Sequence, residues 1–128
     1  MKKIGLWGLF LLFIGSVSAQ DIYNEISSAM QAANAKQIAV YFNTSVELTI
    51  LNQEDVYSKA QAELLLKDFF TKNPPKTFAF VHKGSSKEGT LFAVGNLVTA
   101  NGKTFRTSLV IKTDQGKNVI QQLRFEAQ

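Results

Sequence analysis

The stretch YSKAQAELLLKDFFTKNPP, residues 57–75, carries the strongest helical pattern outside the N-terminal leader. Ser58 followed by Gln61 forms a capping-box pattern, which satisfies free backbone N–H groups at the start of a helix. Asn73 precedes Pro74, whose ring disfavours the α conformation in the residue before it. The pattern therefore predicts a helix that ends near Asn73. Its apolar stripe, which needs a broad apolar surface to cover, consists of Ala62, Leu65, Leu66, Phe69 and Phe70.

The N-terminus is typical of a secretory signal peptide. Lys2 and Lys3 precede an apolar run at residues 4–14, and small residues follow before the expected cleavage site. The run is shorter than the roughly 20 apolar residues that span a bilayer as a helix. We therefore expect residues 1–19 to be removed, which leaves a single domain at residues 20–128 with no transmembrane segment. The expected location is periplasmic or extracellular.

The charge balance gives no argument for a nucleic-acid partner. The chain has 14 basic and 10 acidic residues, and loss of Lys2 and Lys3 with the leader leaves 12 basic residues. No run of Lys or Arg forms the basic patch that nucleic-acid binding requires. The chain has no cysteine, so disulfides are excluded and stability must come from the core.

The remaining chain reads as two short helices and a set of strands. Asp21 is expected to cap the first helix, whose inner face is Ile22, Ile26, Ala29, Met30 and Ala33, and which ends at Asn34. A second helix is expected at residues 36–42, a strand at 46–50, a turn at 52–55 and a short returning strand at 56–57. Alternating apolar residues and turn signals then predict an antiparallel meander of four strands at residues 77–83, 90–99, 103–113 and 118–126.

This order of elements resembles the cystatin-like cone of the nuclear transport factor 2-like superfamily. Three segments also resemble a family of small secreted bacterial proteins, domain of unknown function 4783: FFTKNPPKTFAFVHKGSS, NGKTFRTSLVIK and VIQQLRFE. The resemblance implies an α+β fold with about three helices packed on a bent antiparallel sheet, often with a pocket between them. It implies no activity, because the superfamily holds enzymes, ligand binders and scaffolds alike.

The residues available for catalysis are few. His82 is the only histidine, and the sequence has no nucleophile motif, no cluster of metal ligands and no cysteine. We therefore expect a non-enzymatic binding module with no catalytic residue, metal or cofactor. The alternative is a small isomerase- or hydrolase-type enzyme built around His82 in the cone pocket. His82 shares strand parity with Phe78 and Phe80, so it either faces that pocket or is half-buried and bonded to the loop at residues 84–86.

The two expected hairpin turns decide which residues face each other. A two-residue turn at Asn101-Gly102 places Val98 opposite Phe105, Val94 opposite Leu109 and Phe92 opposite Ile111. A three-residue turn at residues 114–116 places Ile111 opposite Val119, Thr107 opposite Leu123 and Phe105 opposite Phe125. The apolar face would then continue across three strands, and a slip of one residue would turn a whole strand over.

This register also sets Arg106 opposite Arg124 on the other side of the sheet. Like charges in direct opposition destabilise a strand pair, so a compensating anion is expected. Glu126 or Glu47 is one source, and a bound carboxylate or phosphate is another. A two-residue turn at Gly116 would instead place Arg124 beside Thr107 and dissolve the pair.

The function expected from the sequence is binding of an unidentified ligand, for which an anionic group is one candidate. Arg106, Arg124 and His82 are the candidate ligand-binding residues. The candidate partners are a small molecule, a peptide, a cell-envelope component or a second copy of the chain. Tyr23, Tyr41 and Tyr57 either line the mouth of a pocket or pack against the core from a helix or strand edge.

Overall fold

The computed structural model describes residues 19–128, which form three helices and six strands. The helices are α1 (Ala19–Gln31), α2 (Ala35–Ala39) and α3 (Lys59–Lys72). The strands are β1 (Phe42–Ile50), β2 (Gln53–Ser58), β3 (Pro75–Ser85), β4 (Leu91–Thr99), β5 (Thr104–Asp114) and β6 (Lys117–Ala127). The predicted signal peptide, apart from Ala19, lies outside the described residues. Within them, no helix is long and apolar enough to cross a membrane.

The strands form one mixed sheet in the order β2-β1-β6-β5-β4-β3. The antiparallel meander from β3 to β6 is confirmed. Strand β1 pairs with β2 in antiparallel and with β6 in parallel, so the sheet is not purely antiparallel. Helix α1 contacts β3, α3 contacts β1 and β2, and α2 contacts both other helices. The predicted α+β class, with three helices packed on the sheet, is therefore confirmed.

The first two helices differ from the prediction at their ends. Ile22, Ile26 and Met30 are fully buried on α1, as its periodicity predicts. Asp21, however, lies in the first turn of α1 and does not precede it. Ala33 follows the helix with a left-handed φ of 56°, so it cannot belong to the inner face. Helix α2 ends before the predicted residue 42, since β1 already begins there.

Helix α3 matches the prediction closely. The Ser58 hydroxyl accepts a hydrogen bond from the Gln61 N–H at 3.2 Å, and the helix ends at Asn73. The stripe residues Ala62, Leu66, Phe69 and Phe70 are buried, and Leu65 is half-buried. The Phe69 ring lies 5.1 Å from the ring of Phe105 and 4.6 Å from that of Phe125. The apolar partner of α3 is therefore the centre of the sheet.

Side chains alternate between a helix face and an open face of the sheet. We use helix face for the side that the helices cover and open face for the other side. Along β5, Phe105, Leu109 and Ile111 are buried on the helix face. On β4 the buried apolar side chains are Ala93 and Leu97, whereas Phe92 is 45% exposed on the open face.

The predicted register between β4 and β5 is wrong by one residue. Val98 pairs with Thr104, and Leu97, not Val98, pairs with Phe105. The Thr99 hydroxyl accepts a hydrogen bond from the Lys103 N–H at 3.0 Å, which closes a longer turn than predicted, with Gly102 at φ 83°. Because the pairing is offset by one residue, β4 presents the opposite set of side chains to the helices.

The predicted register between β5 and β6 is also wrong. The turn has two residues, Gln115 and Gly116, both at positive φ, and Asp114 pairs with Lys117. An irregularity between Val110 and Ile111 then shifts the pairing by one further residue. Beyond this irregularity the two offsets together restore the predicted face, so that Leu123 and Phe125 are buried although their partners differ, whereas before it Ile120 is buried in place of the predicted Val119.

Candidate functional site

A cavity of about 350 Å³ lies between the C-terminal half of α3 and the hairpin of β1 and β2. Its volume is near the lower end of the range found for small-molecule sites. Its apolar lining consists of Leu48, Ile50, Leu51, Tyr57, Leu65 and Phe69. Its polar lining consists of Asn52, Gln53, Asp68, Lys72 and Asn73.

The apolar part of the cavity belongs to the rigid core. Leu48 and Phe69 are only 1% and 3% exposed, and the Phe69 ring is held between other phenylalanines. Tyr57 and Leu65 are half-buried beside them. Side chains that are packed in this way keep their positions, which lowers the entropy lost on binding.

The polar rim carries no net charge. The Lys72 ammonium lies 3.0 Å from the Asp68 carboxylate, and both side chains are mainly exposed. The side-chain amide of Asn73 donates to the Phe69 carbonyl at 3.3 Å, and the Asn73 backbone N–H donates to the same oxygen at 2.8 Å. These bonds fix the end of α3 against the rim, where the amides of Asn52 and Gln53 also lie.

The hairpin contributes a short turn to the mouth of the cavity. Ile50 pairs with Gln53, so Leu51 and Asn52 form a two-residue turn. Leu51 has a φ of 59° and is 44% exposed. A leucine at positive φ is uncommon, because its Cβ crowds the backbone in that region.

His82 lies away from this cavity, on the open face of the sheet. Phe80 pairs with Gly95, whereas His82 pairs with Val94, which leaves Val81 as the extra residue of a bulge. The bulge reverses the strand parity that placed His82 beside Phe80, so that interpretation is wrong. His82 is exposed, and the alternative of a half-buried histidine bonded to residues 84–86 is wrong as well.

The two candidate arginines do not face each other. Arg106 pairs with Glu126, and Arg124 pairs with Ser108. The alternative of a two-residue turn, which placed Arg124 beside Thr107, has the correct turn length. It does not include the irregularity after Val110, which shifts the pairing by one further residue. Both arginines still lie on the open face, because the Arg106–Glu126 pair and the Ser108–Arg124 pair are two residues apart along the strands. Within residues 19–128, the structure contains no ion pair for either side chain, and the buried Nε of Arg124 has no hydrogen-bond acceptor.

Strand β1 borders the second side of Arg124. Thr49 pairs with Arg124 in the parallel register and is 4% exposed. Its hydroxyl donates to the Glu54 carboxylate at 3.0 Å. One row across the open face therefore holds a carboxylate, a hydroxyl, the guanidinium and the Ser108 hydroxyl in sequence.

Sequence reasoning missed most of the cavity, although Tyr57 was a candidate for a pocket mouth and does line it. Tyr23 instead packs against β3, with its ring 5.2 Å from Phe80 and 4.6 Å from the Lys83 ammonium. Burial raises the pKa of Tyr23, and its buried hydroxyl has no partner among residues 19–128. The stacking of a lysine on that ring could not be predicted from the sequence, because the side of the sheet on which this lysine lies depends on the bulge at Val81.

Comparisons with known proteins agree on the family and the fold. The family described as Domain of unknown function (DUF4783) matches residues 23–126. A crystal structure of a DUF4783 family protein from Bacteroides ovatus ATCC 8483 is 26% identical, with a TM-score of 0.77, and the match covers 88% of this chain and 96% of that chain. One from Bacteroides fragilis YCH46 is 29% identical, with a TM-score of 0.76 and coverages of 81% and 96%.

A more distant structure shows the fold alone. An NTF-2 like protein of unknown function from Silicibacter pomeroyi DSS-3 is 12% identical, with a TM-score of 0.60, and the match covers 85% of this chain and 92% of that chain. A comparison with curated proteins found no match.

Proposed function

The chain belongs to the DUF4783 family, and we propose that it is a non-enzymatic binding module that holds a small amphipathic molecule in the cavity between α3 and the β1–β2 hairpin. The observation that carries the proposal is the composition of this cavity, which combines a buried apolar floor with mainly exposed polar residues at its rim. Concave sites with an apolar lining and a few convergent polar groups are the usual form of small-molecule sites.

The chemistry of the rim favours an uncharged polar head on the ligand. Asp68 and Lys72 neutralise each other, and the remaining rim groups are the amides of Asn52, Gln53 and Asn73. A charged head would lose more hydration on entering an apolar cavity than a neutral amide would lose. We therefore propose a ligand with a compact apolar body and an amide-like head that both donates and accepts hydrogen bonds.

Three probes with one ring and different heads test this proposal: benzamide, phenylacetate and phenethylamine. Binding is measured by titration of the backbone amide signals in two-dimensional NMR spectra. We expect benzamide to bind most tightly and to shift the signals of Asn52 and Asn73. Absence of binding by all three probes would contradict the proposal.

A matched pair of variants locates the binding site. Leu65 lines the cavity, whereas its neighbour Leu64 is 67% exposed and does not line it. Leu65→Trp should fill the cavity and abolish binding, while Leu64→Trp should leave the affinity unchanged. Equal effects of the two substitutions would show that the probes bind elsewhere. Tyr57→Ala, which removes one wall, replaces Leu65→Trp if that variant does not fold.

The enzyme alternative required His82 inside the cone pocket. His82 lies on the open face, after the bulge at Val81, and this position supports the proposal of a non-enzymatic module. Catalytic turnover of any probe in the cavity would contradict it.

An anion on the open face is a second candidate, favoured by the unpaired Arg124. A guanidinium whose Nε is buried without an acceptor is less stable than one that is paired, and carboxylates or phosphates pair with arginine in two-point geometry. The measurement is the thermal midpoint in sulfate against chloride at matched ionic strength, for the wild type and Arg124→Gln. Sulfate-specific stabilisation of the wild type alone is the expected result. Equal behaviour of the two proteins would exclude this site.

Export from the cytoplasm also belongs to the proposal. It is supported by the two lysines, the apolar run and the small residues of the leader. Expression of the full chain in a bacterial host should yield a periplasmic product whose mass corresponds to a start at Gln20. Recovery of the intact chain from the cytoplasm would contradict export.

A further inference from the structure

Leu51 occupies a backbone conformation that its residue type does not favour. It is the first residue of the two-residue turn between β1 and β2, with a φ of 59°. Glycine is the usual residue at positive φ in such turns, and asparagine and aspartate tolerate it better than leucine does. A Gly-Asn pair at these two positions would be a common hairpin turn.

The leucine side chain at this position is only partly packed in the folded chain. Leu51 is 44% exposed, so much of its apolar surface remains in water. Its backbone N–H donates to the Phe125 carbonyl at 2.9 Å, but any residue other than proline can make that bond. The hydrogen bond therefore does not explain the strained backbone, and the partial packing of the side chain explains it only in part.

The other non-glycine residues at positive φ in the described part of the chain are Ala33 and Gln115. Gln115 lies in the two-residue turn between β5 and β6 and does not line this cavity. Ala33 carries only a methyl group, and Gln115 is polar. A large apolar side chain at positive φ is thus found at the cavity mouth, where it also lines the cavity.

We propose that Leu51 is a specificity-determining residue that covers the apolar end of a bound ligand. This inference rests on the proposed function and adds an orientation to it. The amide-like head lies toward Asn73 and Lys72 at the end of α3, and the apolar tail extends under Leu51. Binding then buries the surface of Leu51 that is exposed in the free protein, and the ligand class is an aliphatic or aromatic amide with a tail.

Benzamide and 4-butylbenzamide form the pair of probes that tests this orientation. If the butyl chain lies under Leu51, it should raise the affinity of the wild type by about tenfold, because each buried methylene contributes to transfer from water. In Leu51→Gly this gain should fall below about threefold. Leu51→Met, which retains a long apolar side chain, should keep the gain.

Gln115→Gly provides the matched control for the backbone. Both glycine substitutions remove a side chain from a left-handed residue, so both should raise the thermal midpoint by about 1–4 °C. Only Leu51→Gly should lose the gain from the butyl chain. A lower midpoint in Leu51→Gly would overturn the inference, since it would show that the leucine stabilises the free protein.

The outcomes separate this inference from the proposed function. If benzamide binds and Leu65→Trp abolishes the binding, but Leu51→Gly keeps the full gain from the butyl chain, the cavity remains a ligand site and the role of Leu51 is refuted. If neither probe binds the wild type, both the proposed function and this inference are refuted.

Discussion

Gly95 lies on the helix face of β4, where the ring of Phe78 occupies the space that a side chain would fill. A Cβ built at Gly95 would lie 2.6 Å from Cζ of Phe78 and 2.8 Å from the carbonyl oxygen of Ala79. The ring can turn, but the carbonyl belongs to β3, and its movement would disturb the pairing of β3 with β4. We therefore predict that Gly95→Ala destabilises the domain.

The expected size of the effect follows from this geometry. Overpacking of a core by one methyl group costs about 1–3 kcal/mol, and loss of glycine's freedom in the unfolded chain offsets about 0.4–1 kcal/mol of it. Because a fixed backbone atom is involved, we expect a net loss of about 1–2 kcal/mol. That loss corresponds to a decrease of roughly 4–10 °C in the thermal midpoint, measured by circular dichroism with chemical denaturation as a second measurement.

Gly84→Ala is the control on the neighbouring strand. Gly84 lies in β3 and is not at positive φ, and a Cβ added there would meet no heavy atom within 4 Å. This substitution should leave stability unchanged or raise it by up to about 1 kcal/mol. If the two variants are equally stable, the close packing of Phe78 over Gly95 is refuted. Phe78→Leu should also recover part of the loss when combined with Gly95→Ala, since it removes one of the two contacts.

Three further predictions concern stability. Phe69→Ala should lower the free energy of unfolding by about 3–5 kcal/mol, since the ring is 3% exposed. Lys67→Ala should lower it by less than about 0.5 kcal/mol. Equal losses in denaturant titrations would contradict the assignment of Phe69 to the inner face of α3. Ser58→Ala should cost about 1 kcal/mol through loss of the helix cap, and no loss would show that the cap is dispensable. Burial raises the pKa of Tyr23, so the folded state keeps this proton at a pH where the unfolded chain releases it, and stability should fall as the pH rises above about 10. Tyr23→Phe should reduce that fall and should not destabilise the protein at neutral pH, because the hydroxyl has no partner within residues 19–128; an unchanged pH profile would refute the role of Tyr23.

The helices and strands were predictable because their signals are local. The stripe on α3, the cap at Ser58 and the stop before Pro74 depend on residues within about four positions of one another, and the structure retains all three. The inner face of α1 was likewise predicted by spacing, except for Ala33. In these segments the tertiary structure agrees with the local preference of the chain.

The strand registers were not predictable, since each depends on one residue at a turn or bulge. A threonine hydroxyl at Thr99 takes the N–H of Lys103 and so lengthens the turn. The bulge at Val81 has no glycine or proline to mark it, yet it reverses the side of the sheet on which His82 lies. Alternation of apolar residues is consistent with either register over a short strand, so the hydrophobic pattern could not decide between them.

The same limitation explains why the sequence did not point to the cavity. Arg106, Arg124 and His82 are noticed because their side chains carry chemistry, whereas the cavity is formed mainly by leucine, phenylalanine, tyrosine and amides. The stop of α3 at Asn73 is visible in the sequence, and a turn is predicted at residues 52–55, although the structure places it at Leu51 and Asn52. The proximity of the end of α3 to this turn is not visible in the sequence, because α3 follows the hairpin along the chain and is then held over it by the sheet. Strand β1 must pair with β6 in parallel, as Leu48 with Leu123, before Phe69 can lie against Phe125 with the hairpin beside it. The cavity is therefore a product of long-range pairing, and its position follows from the topology of the sheet.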